Sequence, residues 1–365
     1  MSRYIVRRLI GVIPTLFITS LIIYAILLAA PGGPTARFIN NPKMTAEAIE
    51  AVKKKWGLDQ PIPIQYCRWV GICNPDGEGL GVFISDQGLP NFLPEFLGGG
   101  DNGVLHGDLG VSTATGAPVA DIIGARIIPT AILAGTALVV WLVLAFVFGV
   151  IAAVKRYSKT DTAITIFSYV GYSFPTFWLG LMLILIFAAR LQILPAGGMW
   201  DARTSPPFGT SAYWEYAGQQ PLTALVDLGK HLILPVITLV VVNVAADSRF
   251  IRASMIDTLN RDYVRTARAK GVPENSVRTR HALRNALLPV ITNIALELPF
   301  LFTGAIVTET IFSWPGMGRE SIVATGAFDY PVLMGILTVS AVLVVLFNLL
   351  ADVVYAVADP RISYG

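Results

Sequence analysis

Glu297 is the side chain best placed to do chemistry inside an apolar stretch, with Asn293 one turn before it and Pro299 just after it. A carboxylate at membrane depth faces other protein or a water-filled path, which makes Asn293 and Glu297 candidates for lining a route taken by solute. A Glu satisfied by neighbouring helices is the competing assignment, and the residues alone leave both open. Other chemistries find less support. His106, His231 and His281 are far apart, so no Cys/His metal spacing exists, and no HExxH occurs. Gly98, Gly100 and Gly103 fit GxGxxG without the strand and helix that the motif needs. Gly98, Gly100 and Asp101 fit the GxGD of membrane aspartyl proteases but lie outside any span. No GxxxxGK[ST] occurs, so the chain carries no nucleotide-hydrolysing loop of its own. Cys67 and Cys73 read equally as a small disulfide loop in an oxidising compartment and as two free thiols.

The second candidate is a basic polar stretch, Tyr263 to Pro289 (YVRTARAKGVPENSVRTRHALRNALLP), set between apolar runs. From Arg249 to Arg284 there are nine Arg or Lys residues against Asp257, Asp262 and Glu274. Such a loop belongs on the cytoplasmic side of a membrane. Its residues predict helix, turn, helix: Gly271 can leave the first helix in a left-handed conformation, and Pro273 suits the first position of the second. Small side chains at 267, 269 and 271 predict a shallow face that another protein could approach. Docking surface and solvated connector are both compatible with this composition.

These residues sit in a chain of 365 residues that is 54% hydrophobic and 14% charged, with a mean hydropathy of +0.63. That is too apolar for a soluble domain of this size. The net charge of +3 is concentrated beside apolar runs, where it sets orientation, and nucleic acid is not a partner. The expected fold is an all-α integral membrane protein with six transmembrane helices and a long external segment after the first span. Spans are predicted at Leu9–Ala30, about Thr130–Val154, Ile164–Ala188, His231–Ser248, Leu287–Thr308 and Val332–Val357. The first is read as an uncleaved anchor. Lys155, Arg156 and Lys159 crowd the turn after span two, whereas 313–330 contains only Arg319, so both termini are expected in the cytoplasm.

The chain then divides into a cytoplasmic N-terminus and first helix (1–30), an external segment (31–125) and a five-helix core (126–357). That core contains the cytoplasmic loop 249–286 and is followed by a cytoplasmic tail (358–365). Within the external segment one helix is expected near Thr45–Trp56, and the rest reads as loop. Pro175 and Pro299 should kink their spans. Ala131 with Gly135, and Ala145 with Gly149 and Ala153, give the four-residue spacing of close helix contacts. Asp247, Asn348 and Asp352 lie nearer span ends than Glu297 and read as structural.

Several stretches together resemble the membrane-spanning subunits of ABC importers, in particular the peptide and nickel group, the B-type oligopeptide and dipeptide permeases. They are RYIVRRLIGVIPTLFITSLIIY from Arg3 with PGGP from Pro31, GLDQPIPIQY from Gly57, GDLGVSTATGAPV from Gly107, LPAGG from Leu194, TETIFSWPGMGRE from Thr308, and DYPV with the closing DPRI from Asp329 and Asp359. Tyr263 to Pro289 resembles that group's form of the cytoplasmic EAA loop, with Gly271 at the family's glycine. Arg265 stands where the general pattern has glutamate, and Pro289 falls farther from Gly271 than the general pattern places its proline; both fit the peptide-type version. Residues from about 72 to 104 have no counterpart in the typical member and look like an insertion.

The resemblance implies an ABC type-1 transmembrane core in the plasma (inner) membrane, forming half of a translocation path for peptides. The implied partners are a second homologous permease, two ATPase subunits, an extracytoplasmic substrate-binding protein and membrane lipid. ATP would be bound by the ATPases, so this chain needs no cofactor. Tyr263, Arg265, Thr266, Ala267, Ala269, Lys270, Gly271 and Pro273 would form the loop that couples to them. Two other classes compete. An ion-gradient transporter would use acids near the midplane and often repeated halves, of which Glu297 alone is present. A membrane-embedded enzyme would need a nucleophile and base, a metal set or paired acids within spans.

Overall fold

A computed structural model describes residues 2–30, 32–39, 42–72, 103–287, 289–291, 293–294 and 305–358. The described elements are helical: α1 Ser2–Ala29, α2 Ala46–Lys55, α3 Ile62–Val70, α4 Val119–Val154, α5 Lys159–Ser173, α6 Thr176–Leu183 continuing through π-helical turns Ile184–Arg190, α7 Ser211–Gln219, α8 Pro221–Leu259, α9 Asp262–Ala269, α10 Glu274–Ser276 continuing through π-helical turns Val277–Leu283, α11 Ile306–Ile311, α12 Met317–Gly326 and α13 Tyr330–Ala358. Four are long and apolar enough to cross a membrane: Ile10–Ala29 within α1, α4, α8, and Tyr330–Val353 within α13. The expected span at 287–308 falls largely outside the described residues.

Three expectations are corrected. The third span is not one kinked helix, since α5 and α6 diverge by 99°. The cause is local: Phe174 and Pro175 are both extended (ψ 128° and 131°), as a proline and the residue before it favour. The second span is the C-terminal part, and the fourth the middle, of much longer helices. At 36 and 39 residues, α4 and α8 reach about 54 and 58 Å, well beyond the roughly 30 Å hydrocarbon core. The region after the first span also holds more helix than expected. In α3, Pro61 is the N-cap and a proline occupies the first turn, where no N–H is needed.

The chain forms two compact units, one of residues 10–128 and 316–343, the other of residues 1–9, 129–315 and 344–365. In the first, Ile23, Tyr24 and Leu27 of α1 bury against Trp56, Trp69, Val70 and Met334. Gln65, from the GLDQPIPIQY stretch, accepts a hydrogen bond from the Tyr24 hydroxyl (3.1 Å) and donates to the Leu58 and Gln60 carbonyls. A second cluster joins Val119 and Ile123 of α4 to Met317, Ala324, Val332 and Ile336. Glu320 closes this packing by accepting from Arg126 at 2.9 Å.

Asp329, at the head of α13 and 3% exposed, collects the backbone N–H groups of Thr113 (3.1 Å) and Ala114 (3.2 Å) and the hydroxyls of Ser112 and Thr113. Two of the resembling stretches, GDLGVSTATG and DYPV, are therefore one hydrogen-bonded feature. Asp329→Ala strands those donors and is expected to lower stability by roughly 2–4 kcal/mol. Asp329→Asn, which keeps an acceptor oxygen, should lose less. Thermal unfolding of the purified protein in detergent checks this; equal midpoints for wild type and Asp329→Ala would refute it.

In the other unit, Leu133, Ala134, Ala137, Trp141 and Ala145 of α4 pack on Val236, Leu239, Val240, Val244 and Ile251 of α8. Of the two small-residue stripes, only the second makes the contact: a Cβ on Gly149 would lie 2.6 Å from the Ile251 side chain and 2.8 Å from the Ser248 carbonyl. Gly135 has nothing near it, and Ala134 and Ala137 are buried instead of Ala131. LPAGG meets IFSW at backbone level, because a Cβ on Gly197 would lie 2.3 Å from the Phe312 carbonyl oxygen and the Gly198 N–H donates to that oxygen at 2.7 Å. Gly197→Ala is expected to cost about 1–3 kcal/mol, read as a lower unfolding midpoint.

Candidate functional site

The basic loop grows out of α8. Arg252, on the last turns of α8, grips Asp161 of α5 with two hydrogen bonds of 2.7 and 2.9 Å. Two residues on, Ser254 donates to the Ala286 carbonyl at 2.7 Å, and Met255 packs with Ala153, Ala282 and Ala286. The root of the loop is thus tied on both sides before the chain turns at Asn260. Asp262 then opens α9 beside its positive end and Arg268 closes it beside its negative end, the arrangement favoured by the helix dipole.

The chain leaves α9 through a Schellman turn. Gly271 adopts φ +75°, its N–H reaches the Arg268 carbonyl (3.0 Å), and the Val272 N–H reaches the Ala267 carbonyl (3.2 Å). The accompanying apolar contact is present, since Ala267 and Val264 pack with Val277 and Val272. Pro273 is the N-cap of α10 and not its first residue as expected from sequence; its extended ψ of 137° turns the chain, and its carbonyl accepts from the Val277 N–H at 3.0 Å. Glu274 brackets the elbow, accepting two hydrogen bonds from Arg268 and one from Arg278, all at 3.1 Å. The Arg268 hydrogen bond holds the Glu274 carboxyl below the ordinary carboxylate range. Such a depressed group supports the elbow above the ordinary carboxylate pKa and loses that support only as pH falls through its lowered value. The bracket is therefore intact throughout the neutral range.

This packing sorts the candidate residues. Tyr263, Arg265, Thr266 and Ala269 are exposed on α9, and Lys270, Gly271 and Pro273 are exposed at the turn. Ala267 faces inward and is 8% exposed, so it shapes the elbow instead of lining its surface. Arg265 has 72% of its side chain in the open, 3.7 Å from Asp262. The exposed face is consequently cationic and aromatic, on a rigid support.

The membrane candidates are placed differently. Asn293 is half-buried and donates to the Asp247 carboxylate at 3.2 Å, which joins α8 to a residue 46 positions later. Asp247 itself is 2% exposed. Glu297 lies outside the described residues. Glu309, a carboxylate of the TETIFSWPGMGRE stretch that is not among the expected site residues, is fully buried and accepts from the Thr130 hydroxyl at 2.8 Å. Beside it, the Trp314 indole N–H donates to the Pro129 carbonyl at 2.9 Å. The available signal was an acid among Ile306, Val307 and Ile311 with no basic neighbour to solvate it. On α3, Cys67 has its sulfur in a disulfide, and Cys73 lies outside the described residues. Among the described residues no group of three or more His, Cys, Asp or Glu side chains could hold a metal ion.

Comparison with known proteins adds four observations. Residues 145–364 match the family model "binding-protein-dependent transport system inner membrane component", and residues 1–76 match the N-terminal model of such membrane components. The chain is 36% identical over its whole length, and the whole of its relative's, to the oligopeptide transport system permease protein AppB of Bacillus subtilis. It is 35% identical, again with both chains covered in full, to the glutathione transport system permease protein GsiC of Escherichia coli K12. A chain from an inward-facing structure of the MetNI methionine ABC transporter overlaps 65% of this chain and 96% of its own length, with a TM-score of 0.49 and 13% identity. With family models matching both ends of the sequence and relatives aligned from end to end, the chain belongs to the family of inner-membrane permease components of binding-protein-dependent transport systems.

Proposed function

We propose that this permease forms half of a translocation path for peptides and takes its driving force from separate ATPase subunits through the elbow at Gly271. The permeases it resembles over full length are named for oligopeptides and for glutathione, itself a peptide, which favours peptides over metal chelates or sugars. One observation carries the coupling role: the exposed face of α9 stands on an elbow fixed by a Schellman turn, a buried apolar knot and a Glu274 bracket. A solvated connector has no need of that stiffness, whereas a lever must keep its shape while pushed from either side. A homologous permease would supply the other half of the path. An extracytoplasmic binding protein would deliver the substrate, and lipid would surround the pair. In this arrangement the chain has six spans, including one over 287–308, a long external segment after the first, and both termini in the cytoplasm.

The test is proximity. Ala269→Cys, in the assembled transporter, is expected to cross-link to the ATPase through a short bifunctional maleimide, whereas Thr45→Cys is not. A cross-link yield at 269 no higher than at 45 refutes the coupling role. We also propose that Cys67 pairs with Cys73, closing a small loop in an oxidising compartment. Peptide mapping without reductant should recover the two as one linked species, and alkylation of both thiols before reduction would refute the pairing.

A further inference from the structure

The geometry points to a seat for an anionic phospholipid along α5. A groove of about 520 Å³ runs along this helix, walled by Ala163, Ile166, Phe167, Val170 and Phe174, with Leu179 of α6 at its far end. Its floor is Gly171, whose missing side chain leaves Val241 of α8 close behind; a Cβ there would lie 3.1 Å from Val241. Every lining residue is apolar or glycine, and Ile166 and Val170 are about half exposed (58% and 49%). From Ala163 to Phe174 the wall is about 16 Å long at 1.5 Å per residue, close to one leaflet of a hydrocarbon core of about 30 Å. The 99° divergence at Pro175 ends the run.

What selects the occupant is the charge at the other end. Lys159 lies one helical turn before Ala163, and Lys155 and Arg156 lie in the turn before it; all three are exposed. Among the described residues none of the three has an ion-pair partner. The acid nearby, Asp161, is 4% exposed and already committed to Arg252. Three uncompensated cations above a leaflet-length apolar slot match a molecule with a negative head and a hydrocarbon tail. A protein partner would need only the apolar part. The seat rests on the cytoplasmic placement of the 155–159 turn proposed above.

The test uses the complete transporter, stripped of lipid in detergent and offered phosphatidylglycerol or phosphatidylcholine, with bound lipid counted by native mass spectrometry. Wild type is expected to retain phosphatidylglycerol about tenfold or more over phosphatidylcholine. The Lys155→Gln, Arg156→Gln, Lys159→Gln triple variant should fall to near parity. Ala163→Trp, which fills an exposed groove mouth without entering the core, should reduce retention of both lipids. Unchanged retention in both variants overturns the seat. Separation of the two membrane subunits by Ala163→Trp also overturns it, assigning the groove to a subunit interface. Labelling of Thr160→Cys by an impermeant maleimide from outside would instead overturn the topology, so the two failures are distinguishable.

Discussion

Gly271→Pro is expected to reduce ATP-driven uptake at least tenfold while the protein still inserts at wild-type levels. The expectation rests on backbone geometry, because a Cβ at 271 would meet nothing within 4 Å and side-chain bulk is not the obstacle. The residue sits at φ +75°, a region open to glycine and closed to proline, whose ring fixes φ near −65°. Proline also removes the N–H that reaches the Arg268 carbonyl. Once the left-handed residue is lost, the Val272 bond to Ala267 goes with it, and Arg268 and Arg278 can no longer both reach Glu274. Gly271→Asn, which tolerates the left-handed region, should retain most activity, and Gly271→Ala should fall between them, with a conformational cost of about 1–2 kcal/mol. Uptake into proteoliposomes and co-purification with the ATPase are the readouts. Wild-type values of both for Gly271→Pro would mean that α9 and α10 need no fixed angle, and the lever would have to lie elsewhere.

The elbow was legible in the sequence because its signals are local. Gly271 and Pro273 punctuate the chain within a few residues, and neither signal depends on a distant contact. Even so, the inward turn of Ala267 was missed, because residues 267, 269 and 271 look alike as small side chains until Val264 and Val277 form a knot that takes only the first of them. Long-range pairings left less trace. Nothing near Asp329 announces that its partners are at 112–114, and nothing near Asn293 announces Asp247. The helix lengths failed for a related reason: hydropathy marks where lipid can be met, whereas α4 and α8 continue past that boundary wherever tertiary packing supports them. Val119 and Ile123 are buried by Met317 and Val332, so the polar start of α4 is helical despite Asp121 and Arg126. Family motifs that suggested function by their distinctiveness prove to be clasps in several cases, Asp329 on the 112–114 turn and Phe312 on Gly197 among them.

The second large effect is expected at the Arg252–Asp161 pair, where Asp161→Ala should cost about 3–5 kcal/mol and Arg252→Ala somewhat less. The Asp161 side chain is 6% exposed and that of Arg252 28%, so each is held mostly out of water by the other. Removing the carboxylate leaves a guanidinium half-desolvated against α5. It also frees the Tyr157 N–H, which Asp161 accepts at 2.9 Å where the chain turns at φ +63°. Removing the guanidinium leaves that second contact in place, which is the source of the asymmetry. The double variant should therefore be less unstable than the sum of the two singles by roughly 1.5–3 kcal/mol, measured by reversible unfolding in mixed micelles. Strict additivity would show that the pair is a surface contact without energetic content. A swap, Asp161→Arg with Arg252→Asp, should recover only part of the loss. It restores the charge pair but puts a cation in the first turn of α5, against the helix dipole, and leaves the Tyr157 N–H without its acceptor. Because the pair joins α5 to the stretch of α8 from which the elbow projects, transport in the swapped variant should fall further than stability does. On the coupling role proposed for the elbow, the clasp has to hold one geometry while force passes along α8, and a weakened one yields before it unfolds.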